Sequence, residues 1–580
     1  MMSENATTSD STAATQGHSA HESSVPASQT AADYPAEARR DLPGLARRVL
    51  IIGLDGATFD ILRPLMDAGR MPHLARLVQT GTAGILESTK PPITPAAWTT
   101  FMTGMGPGRH GIVDFEKYDV RTNTLSFNST YEIREKTIWE MLSEKGFRVG
   151  SINLPMTYPP RKVNGFVISG FETPSIDNEF TYPADLKREI LQRWPDYSYR
   201  SNWQRKALGG EDLFKRNAAF VERSFHQGGE LVEYCGDKYG WDVLMVLFKL
   251  VDNLQHKAWR YLDPKTAGQD PHRAEIAAHC FEVLDEVLGK LSAYAERHEA
   301  TLLIMSDHGH GSLDGKAQPN ALLEQWGYLK IKSRLSQAAV RARRILDRLR
   351  GKTTKRFAAN LGIEHDLALD WSRTRACVIH AGMYGFLYVS LKGRQPNGLV
   401  EPADYEPLRE ELRQKLLAVT SSAPDGRQIQ VFSEVARTEE LYGCRREDQP
   451  WLPDLLLIPQ PGLAVVRKIR GGRPVLWSAP DRLEGTHRVE GILIANGPGV
   501  RQGHTAGGRI ADIAPTLLAA LGLRVPSDME GRVLADLFEK PPTVEFETPQ
   551  QAQRAAYDEV YDEAERDALT RRLSDLGYLE

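Results

Sequence analysis

The stretch Val49-Leu50-Ile51-Ile52-Gly53-Leu54 carries no polar side chain and stops abruptly at Asp55-Gly56. A strand with one face in water alternates apolar and polar residues, so an unbroken apolar run predicts a strand covered on both faces. Runs of the same kind recur at 149–153, 166–170, 243–250, 301–306, 455–458 and 491–496. Segments of helical periodicity lie between them, for example 68–80 and 274–297. The second repeats apolar side chains at Ile276, Ala277, Phe281, Val283, Leu284, Val287 and Leu288. Strands alternating with helices predict an α/β layer architecture around a central, mostly parallel sheet, because parallel neighbours need a crossover and the crossover helices cover the faces.

Texture divides the chain further. Residues 1–44 are rich in Ser, Thr, Ala and Gln, with Tyr34 as their one aromatic, and are expected to form a disordered tail. A first part of the core is expected over 45–327, an inserted cap over 328–424, a second part of the core over 425–542 and a helical tail over 543–580. Leu569, Leu573 and Leu576 mark the apolar face of that tail. Within the cap, residues 330–356 hold eleven basic side chains against one acid, Asp347, with Leu335, Ala338, Ala342, Ile345, Leu346 and Leu349 at helical spacing. That pattern predicts a basic amphipathic helix over 333–350, suited to peripheral contact with an anionic membrane or a polyanionic substrate. The whole chain is nearly neutral at −4, so no global field recommends nucleic acid as a specific partner. Four dispersed cysteines form no CxxC pair, no apolar run approaches membrane-spanning length and no secretory leader is evident. A cytoplasmic location is expected.

Acids and histidines at the ends of the apolar runs carry the chemistry. Asp55 follows the first run, Asp252 and His256 stand one helical turn apart after the run at 243–250, and Asp307-His308-Gly309 closes the run at 301–306. His487 lies in Gly485-Thr486-His487-Arg488, just before the run at 491–496. Ligand sites of open α/β sheets gather at the carboxyl ends of strands. Three aspartates and three histidines are enough for two divalent cations, the arrangement used in phosphoryl transfer. Any one of these acids alone also suits a turn or cap. Thr94, in Pro91-Pro92-Ile93-Thr94-Pro95-Ala96-Ala97-Trp98, sits where a helix begins; it reads as an N-cap with Pro95 at N1, and its hydroxyl is a candidate nucleophile. Thr99 and Thr100 lie further inside the helix and read as structural.

Together with Gly53-Leu54-Asp55-Gly56-Ala57-Thr58-Phe59-Asp60, the segments Gly108-Arg109-His110-Gly111, Asp252-Asn253-Leu254-Gln255-His256, Ser306-Asp307-His308-Gly309, Gly485-Thr486-His487-Arg488, Asp512-Ile513-Ala514-Pro515-Thr516 and Asp528-Met529-Glu530-Gly531 give a pattern over about 47–540. It resembles the alkaline phosphatase superfamily, in the branch of type I phosphodiesterases and nucleotide pyrophosphatases. The resemblance implies a three-layer α/β/α sandwich with an inserted cap. It implies one cation held by Asp252, His256 and His487, and a second held by Asp55, Asp307 and His308 with Thr94. Zinc is the first expectation and manganese the second. A phosphorylated substrate would be hydrolysed through a covalent phospho-threonine on Thr94, phosphodiester or pyrophosphate bonds being favoured.

Two departures bear on the substrate. Nucleotide pyrophosphatases often carry an asparagine three residues after the nucleophile, where this chain has Ala97. The extra serine ligand and basic clamp of the manganese phosphoglycerate mutases are not evident. A phosphomutase or phosphotransferase of the same superfamily is the alternative enzyme, and a metal-stabilised interaction protein the alternative outside enzymes. His310 and Asp60 stand beside expected ligands and are candidates for supporting contacts.

Overall fold

The computed structural model describes residues 34–35, 37–198, 212–332, 369–467, 472–479, 483–549 and 560–576. The expected basic helix at 333–350 lies outside the described residues, as does most of the expected N-terminal tail. Residues 37–44 lie against the core. Arg39 N donates to Lys145 O at 2.8 Å, and Asp41 N and Leu42 N both donate to Gly522 O at 2.8 Å. These are backbone contacts, which composition does not report.

A ten-stranded sheet organises the chain. Its centre is five parallel strands in the order Ala300–Met305, Arg48–Leu54, Val243–Phe248, Val149–Leu154 and Gly165–Ser169. Glu490–Asn496 joins antiparallel to Ala300–Met305, and Thr82–Glu87 antiparallel to Glu490–Asn496. The first strand shows why an all-apolar run was required. Leu50, Ile52 and Leu54 enter a core built with the helices Leu213–Tyr239, Leu250–Leu262 and Pro271–Arg297. Val49 and Ile51 enter the opposite core, with Thr94–Thr103, Ile138–Glu144 and Ile513–Ala520. Side chains alternate across a strand, so burial of every one means that both faces are covered. The result is a helix–sheet–helix sandwich.

One apolar run belongs elsewhere. Leu455–Pro459 is not in the large sheet; it lies between Gly385–Val389 and Phe432–Arg437 in a four-stranded antiparallel sheet completed by Ala376–Ala381. Its strands come from both sides of residue 424, the expected boundary between cap and core. A separate apolar cluster, including Leu387, Leu412 and Leu457, joins this sheet to the helix Pro402–Leu417. Run length and hydrophobicity alone do not distinguish a central parallel strand from a well-covered antiparallel one. The smaller sheet is pinned by the buried Asp454 carboxylate, which accepts from Arg394 at 2.7 and 2.8 Å and from Arg446 at 2.6 Å. Burial would raise its pKa, but the two guanidinium groups hold it at about 2.

The C-terminal helix Glu563–Leu576 packs on the sandwich. Leu573 joins Ile93, Ala96, Phe115 and Phe171, while Leu569 joins Tyr158 and Tyr561. Arg572 is buried and donates to the carbonyls of Phe171, Thr173 (2.8 Å) and Pro174 (2.9 Å). Among the described residues no helix is long and apolar enough to cross a membrane. Removing the Arg572 guanidinium would leave these buried carbonyls without that donor, at about 1–3 kcal/mol for each left unsatisfied. Arg572→Met is therefore expected to speed amide hydrogen exchange in both 170–174 and 563–576. Unchanged exchange in both segments would show that the clamp does not hold them.

Candidate active site

Strand register sets the site. Gly53 lies opposite both Leu247 and Met305, so the three central strands end level. Asp55, Lys249 and Asp307 therefore leave the sheet side by side. The helix Leu250–Leu262 begins immediately after Lys249 and presents Asp252 and His256 one turn apart, with Asp252 Oδ1 3.2 Å from His256 Nε2. The short antiparallel pair Gly309–Leu313 and Glu484–Arg488 places His310 opposite His487. Nε2 of His487 lies 3.2 Å from Asp252 Oδ1 and that of His310 3.4 Å from it. Asp252, His256, His310 and His487 each offer one ligand atom within 4.8 Å of the others, and Asp55, Asp252 and His308 do the same. Asp307 adjoins the second group, with Oδ2 3.4 Å from His308 Nε2. Thr94 Oγ1 is 3.4 Å from the same nitrogen. All seven residues picked out from the sequence are buried and meet at one place.

Thr94 is the first residue of its helix, with Ile93 in the N-cap position and Pro95 second, one place later than the N-cap reading. Thr99 and Thr100 donate to the carbonyls of Pro95 (2.6 Å) and Ala96 (2.9 Å) and do stabilise the helix rather than reach the site. Asp60 is exposed and takes no part. Gly56, at φ +67°, turns the chain after Asp55; a Cβ there would lie 2.5 Å from the His310 ring. Glycine at this position is what allows His310 into the cluster.

The histidines share an orientation. His256 Nδ1 meets Gly485 O at 2.8 Å, His487 Nδ1 meets Pro92 O at 2.8 Å, His308 Nδ1 meets Gly309 O at 3.1 Å and His310 Nδ1 meets Gly56 O at 2.9 Å. A carbonyl only accepts, so each Nδ1 carries a proton and each ring turns its Nε2 inward. His256 Nε2 and His487 Nε2 then face one another at 2.9 Å, and the His308 and His487 rings stack at 3.6 Å. His310 Nε2 and Asp307 Oδ2 are buried without a hydrogen bond. Lone pairs directed at lone pairs, with orphaned buried acceptors beside them, fit a divalent cation.

Charge distribution agrees. Burial, then neighbouring His487, holds His308 well below the ordinary imidazole range; burial and His256 do so for His310. Burial lowers His487 to about 4. Burial raises Asp55 to about 6 against the pull of Lys249, and burial and Asp55 push Asp307 well above its usual value. Only Asp252 goes the other way, since Lys249 and the imidazoles outweigh its burial. Neutral imidazoles and crowded carboxylates together are a cation-binding donor set.

A model of the type I phosphodiesterase / nucleotide pyrophosphatase family matches residues 49–489. The chain belongs to that family. It is thereby a metal-dependent hydrolase of phosphoesters within the alkaline phosphatase superfamily. Among solved structures it is similar to phosphonoacetate hydrolase from Sinorhizobium meliloti 1021 in complex with phosphonoformate, at 17% identity and TM-score 0.50, over 83% of this chain and 95% of that one. It is also similar to human ectonucleotide pyrophosphatase / phosphodiesterase 5, at 14% identity and TM-score 0.48, over 85% and 100%. No curated protein matches.

Three site residues were missed or undervalued in the sequence. Lys249 lies inside the apolar run at 243–250, and a lone lysine just past a buried strand was the available signal. His310 was read as a supporting residue and stands inside the first donor group. Trp98 donates Nε1–H to Asp55 Oδ2 at 3.0 Å, and nothing in the sequence marks that contact. His110, by contrast, is structural. Its Nδ1 accepts from Ile112 N at 3.1 Å and its Nε2 faces Thr100 Oγ1 at 3.0 Å, and burial lowers its pKa to about 3.

Glu172 lies on the segment clamped by Arg572. Its carboxyl is buried, Oε2 has no hydrogen bond, and burial raises its pKa to about 8 from 4.5 despite Arg572 and Lys249 nearby. Between those two values the folded chain holds a proton that the unfolded chain has released, so this group's contribution to stability falls as pH rises through that window. Glu172→Gln is expected to gain in Tm over the wild type progressively across that interval. A constant difference in Tm from one end to the other would contradict a protonated Glu172.

Proposed function

We propose that the chain cleaves phosphodiester or pyrophosphate bonds through a covalent phospho-threonine at Thr94. The observation that carries this reading is a buried threonine hydroxyl on the first residue of a helix, 3.4 Å from His308 Nε2 and beside the Asp/His cluster. The positive end of that helix favours an anionic phosphoryl group at the same place. In the first half-reaction Thr94 Oγ bonds to phosphorus as the bond to the leaving oxygen breaks. The threonine proton is released and the leaving oxygen takes up one. In the second half-reaction a water oxygen bonds to phosphorus, the bond to Thr94 Oγ breaks, and the hydroxyl is restored.

Asp252, His256 and His487 would hold one divalent cation, with His310 beside them, and Asp55, Asp307, His308 and Thr94 the other. Zinc suits the imidazole-rich first group, and manganese is the second choice. Such cations would neutralise phosphoryl charge and ease deprotonation of the threonine and of water. The chain's own part is orientation. Four backbone carbonyls fix the imidazoles, Trp98 fixes one oxygen of Asp55, and Gly56 N donates to Asp307 Oδ1 at 3.1 Å. The smaller sheet, which we assign to the cap, meets the ribbon bearing His487 through the turn at Met383. Thr486 Oγ1 donates to Met383 Sδ at 3.0 Å, and Tyr442 donates to Lys90 O at 2.8 Å close to the Thr94 helix.

Thr94→Ala is expected to lower kcat on bis-p-nitrophenyl phosphate and p-nitrophenyl phosphate by at least about 10²-fold with metal content nearly kept. Retained activity would remove Thr94 as nucleophile. Purified protein is expected to contain zinc or manganese, and chelation to lower both activity and Tm. A cation at about 100 times its Kd adds about 2.7 kcal/mol of stability, which re-addition should restore. Protein that binds no transition metal would end the two-cation reading.

A further inference from the structure

We propose that Lys249, with the cavity it lines, selects substrates carrying a second negative charge at or next to the reacting phosphoryl group. The inference rests on the two-cation reading above. Lys249 is buried, with Nζ 3.2 Å from Asp55 Oδ1 and hydrogen-bonded to Asp252 Oδ2, so it joins one carboxylate from each donor group. The division of oxygens is orderly. Asp252 gives Oδ1 to the imidazoles and Oδ2 to Lys249, while Asp55 gives Oδ2 to Trp98 and Oδ1 to Lys249 and His308. Cations entering at Asp55 and Asp252 compete with the ammonium for these oxygens.

The displaced ammonium has somewhere to go. Lys249 lines a cavity of about 50 Å³ together with Asn153, Phe171, Tyr197, Gln227 and Phe248. Nζ is already 5.5 Å from the centre of the Phe171 ring, and that segment is held by Arg572. Asn153 has a left-handed backbone at φ +62° and accepts from the Tyr197 hydroxyl at 2.7 Å, which fixes the opposite wall. The lining is largely apolar, with Asn153, Tyr197 and Gln227 among its polar members, so Lys249 is the one cation on the cavity and also the one that reaches the donor groups.

Charge balance gives the selectivity. Lys249 adds one positive charge to whatever the cations would bring into the buried cluster. Buried charge has to be matched. A substrate with an additional anionic oxygen matches that extra charge better than a singly charged diester does. The position that bears an asparagine in nucleotide pyrophosphatases is Ala97 here and offers no side-chain donor, so the lysine is the group placed to contact that oxygen.

The test uses full-length, metal-loaded wild type with Lys249→Gln and Lys249→Arg. Calorimetric titration with inorganic phosphate and with dimethyl phosphate gives a readout independent of turnover, and atomic absorption reports the metal. Lys249→Gln is expected to weaken phosphate at least about tenfold more than dimethyl phosphate. The same variant should shift the ratio of kcat/KM for p-nitrophenyl phosphate over bis-p-nitrophenyl phosphate in the same direction, with Lys249→Arg partly restoring both. Equal losses for both ligands, or loss of metal and stability alone, would reduce Lys249 to a structural counter-charge and overturn the proposal. A wild type that hydrolyses neither ester would instead overturn the phosphoesterase reading, while the two titrations would still decide the role of Lys249.

Discussion

The structure depends on a conflict held in place by strand register. Three parallel strands ending level deliver Asp55, Lys249 and Asp307 to one buried spot, His308 follows Asp307, and a helix turn and a two-strand ribbon add three more imidazoles. Some of their atoms have no hydrogen bond, His310 Nε2 and Asp307 Oδ2 among them. Two Nε2 atoms face each other at 2.9 Å, and Asp307 Oδ2 has no donor. Such an arrangement costs stability unless something positive enters, so the rest of the sandwich has to hold it together. It does so from both faces, through two apolar cores that share the same central strands. Close approaches serve the same purpose. A Cβ on Gly485 would lie 2.5 Å from Gln255 O, so only glycine there lets the ribbon bearing His487 close on the helix bearing His256.

The second ring of contacts explains why the ligand geometry is rigid. Each imidazole is anchored at Nδ1 by a carbonyl from a different segment: Pro92, Gly485, Gly309 and Gly56. Pro92 stands two residues before Thr94, so the segment that carries the proposed nucleophile also sets the tilt of His487. Displacing the Thr94 helix would disturb a donor group as well as the hydroxyl. The contact of Leu573 with Ile93 and Ala96 makes the distant C-terminal helix part of the same support.

Much of this was legible in the sequence because it rests on short patterns. Apolar runs without alternation revealed the central strands, and acids or histidines at their ends revealed the donors. What failed to show was whatever depends on three-dimensional neighbours. The run at 455–458 looked like its counterparts but belongs to the smaller sheet, since hydrophobicity does not state which sheet a strand joins. Lys249 was hidden inside a run read for its apolar members, and Trp98 inside a helix read for its first residue. Not every segment shared with the superfamily marks chemistry, either. Arg109 pairs with Asp528 at 2.8 Å and Glu135 at 3.1 Å, and Glu530 accepts from Gly106 N at 2.9 Å. These segments lock the chain after the Thr94 helix to a stretch more than four hundred residues later. Their role is architectural.

The clustered acids and histidines stand on the most regular parts of the fold for a physical reason. Donors that must meet within a few tenths of an ångström stand at strand ends, in a ribbon and in the first turns of helices, where hydrogen-bond ladders fix the backbone. Met383 and Tyr442 stand beside a second sheet with its own core, whereas the walls of the Lys249 cavity belong to the sandwich itself. Lys249 joins the cluster to that cavity. It follows a strand buried at every residue, yet its flexible stem ends between the donor groups and borders the cavity. A single side chain there senses both the charge of the cluster and the charge of what binds beside it, which neither the donor set nor the cap does alone.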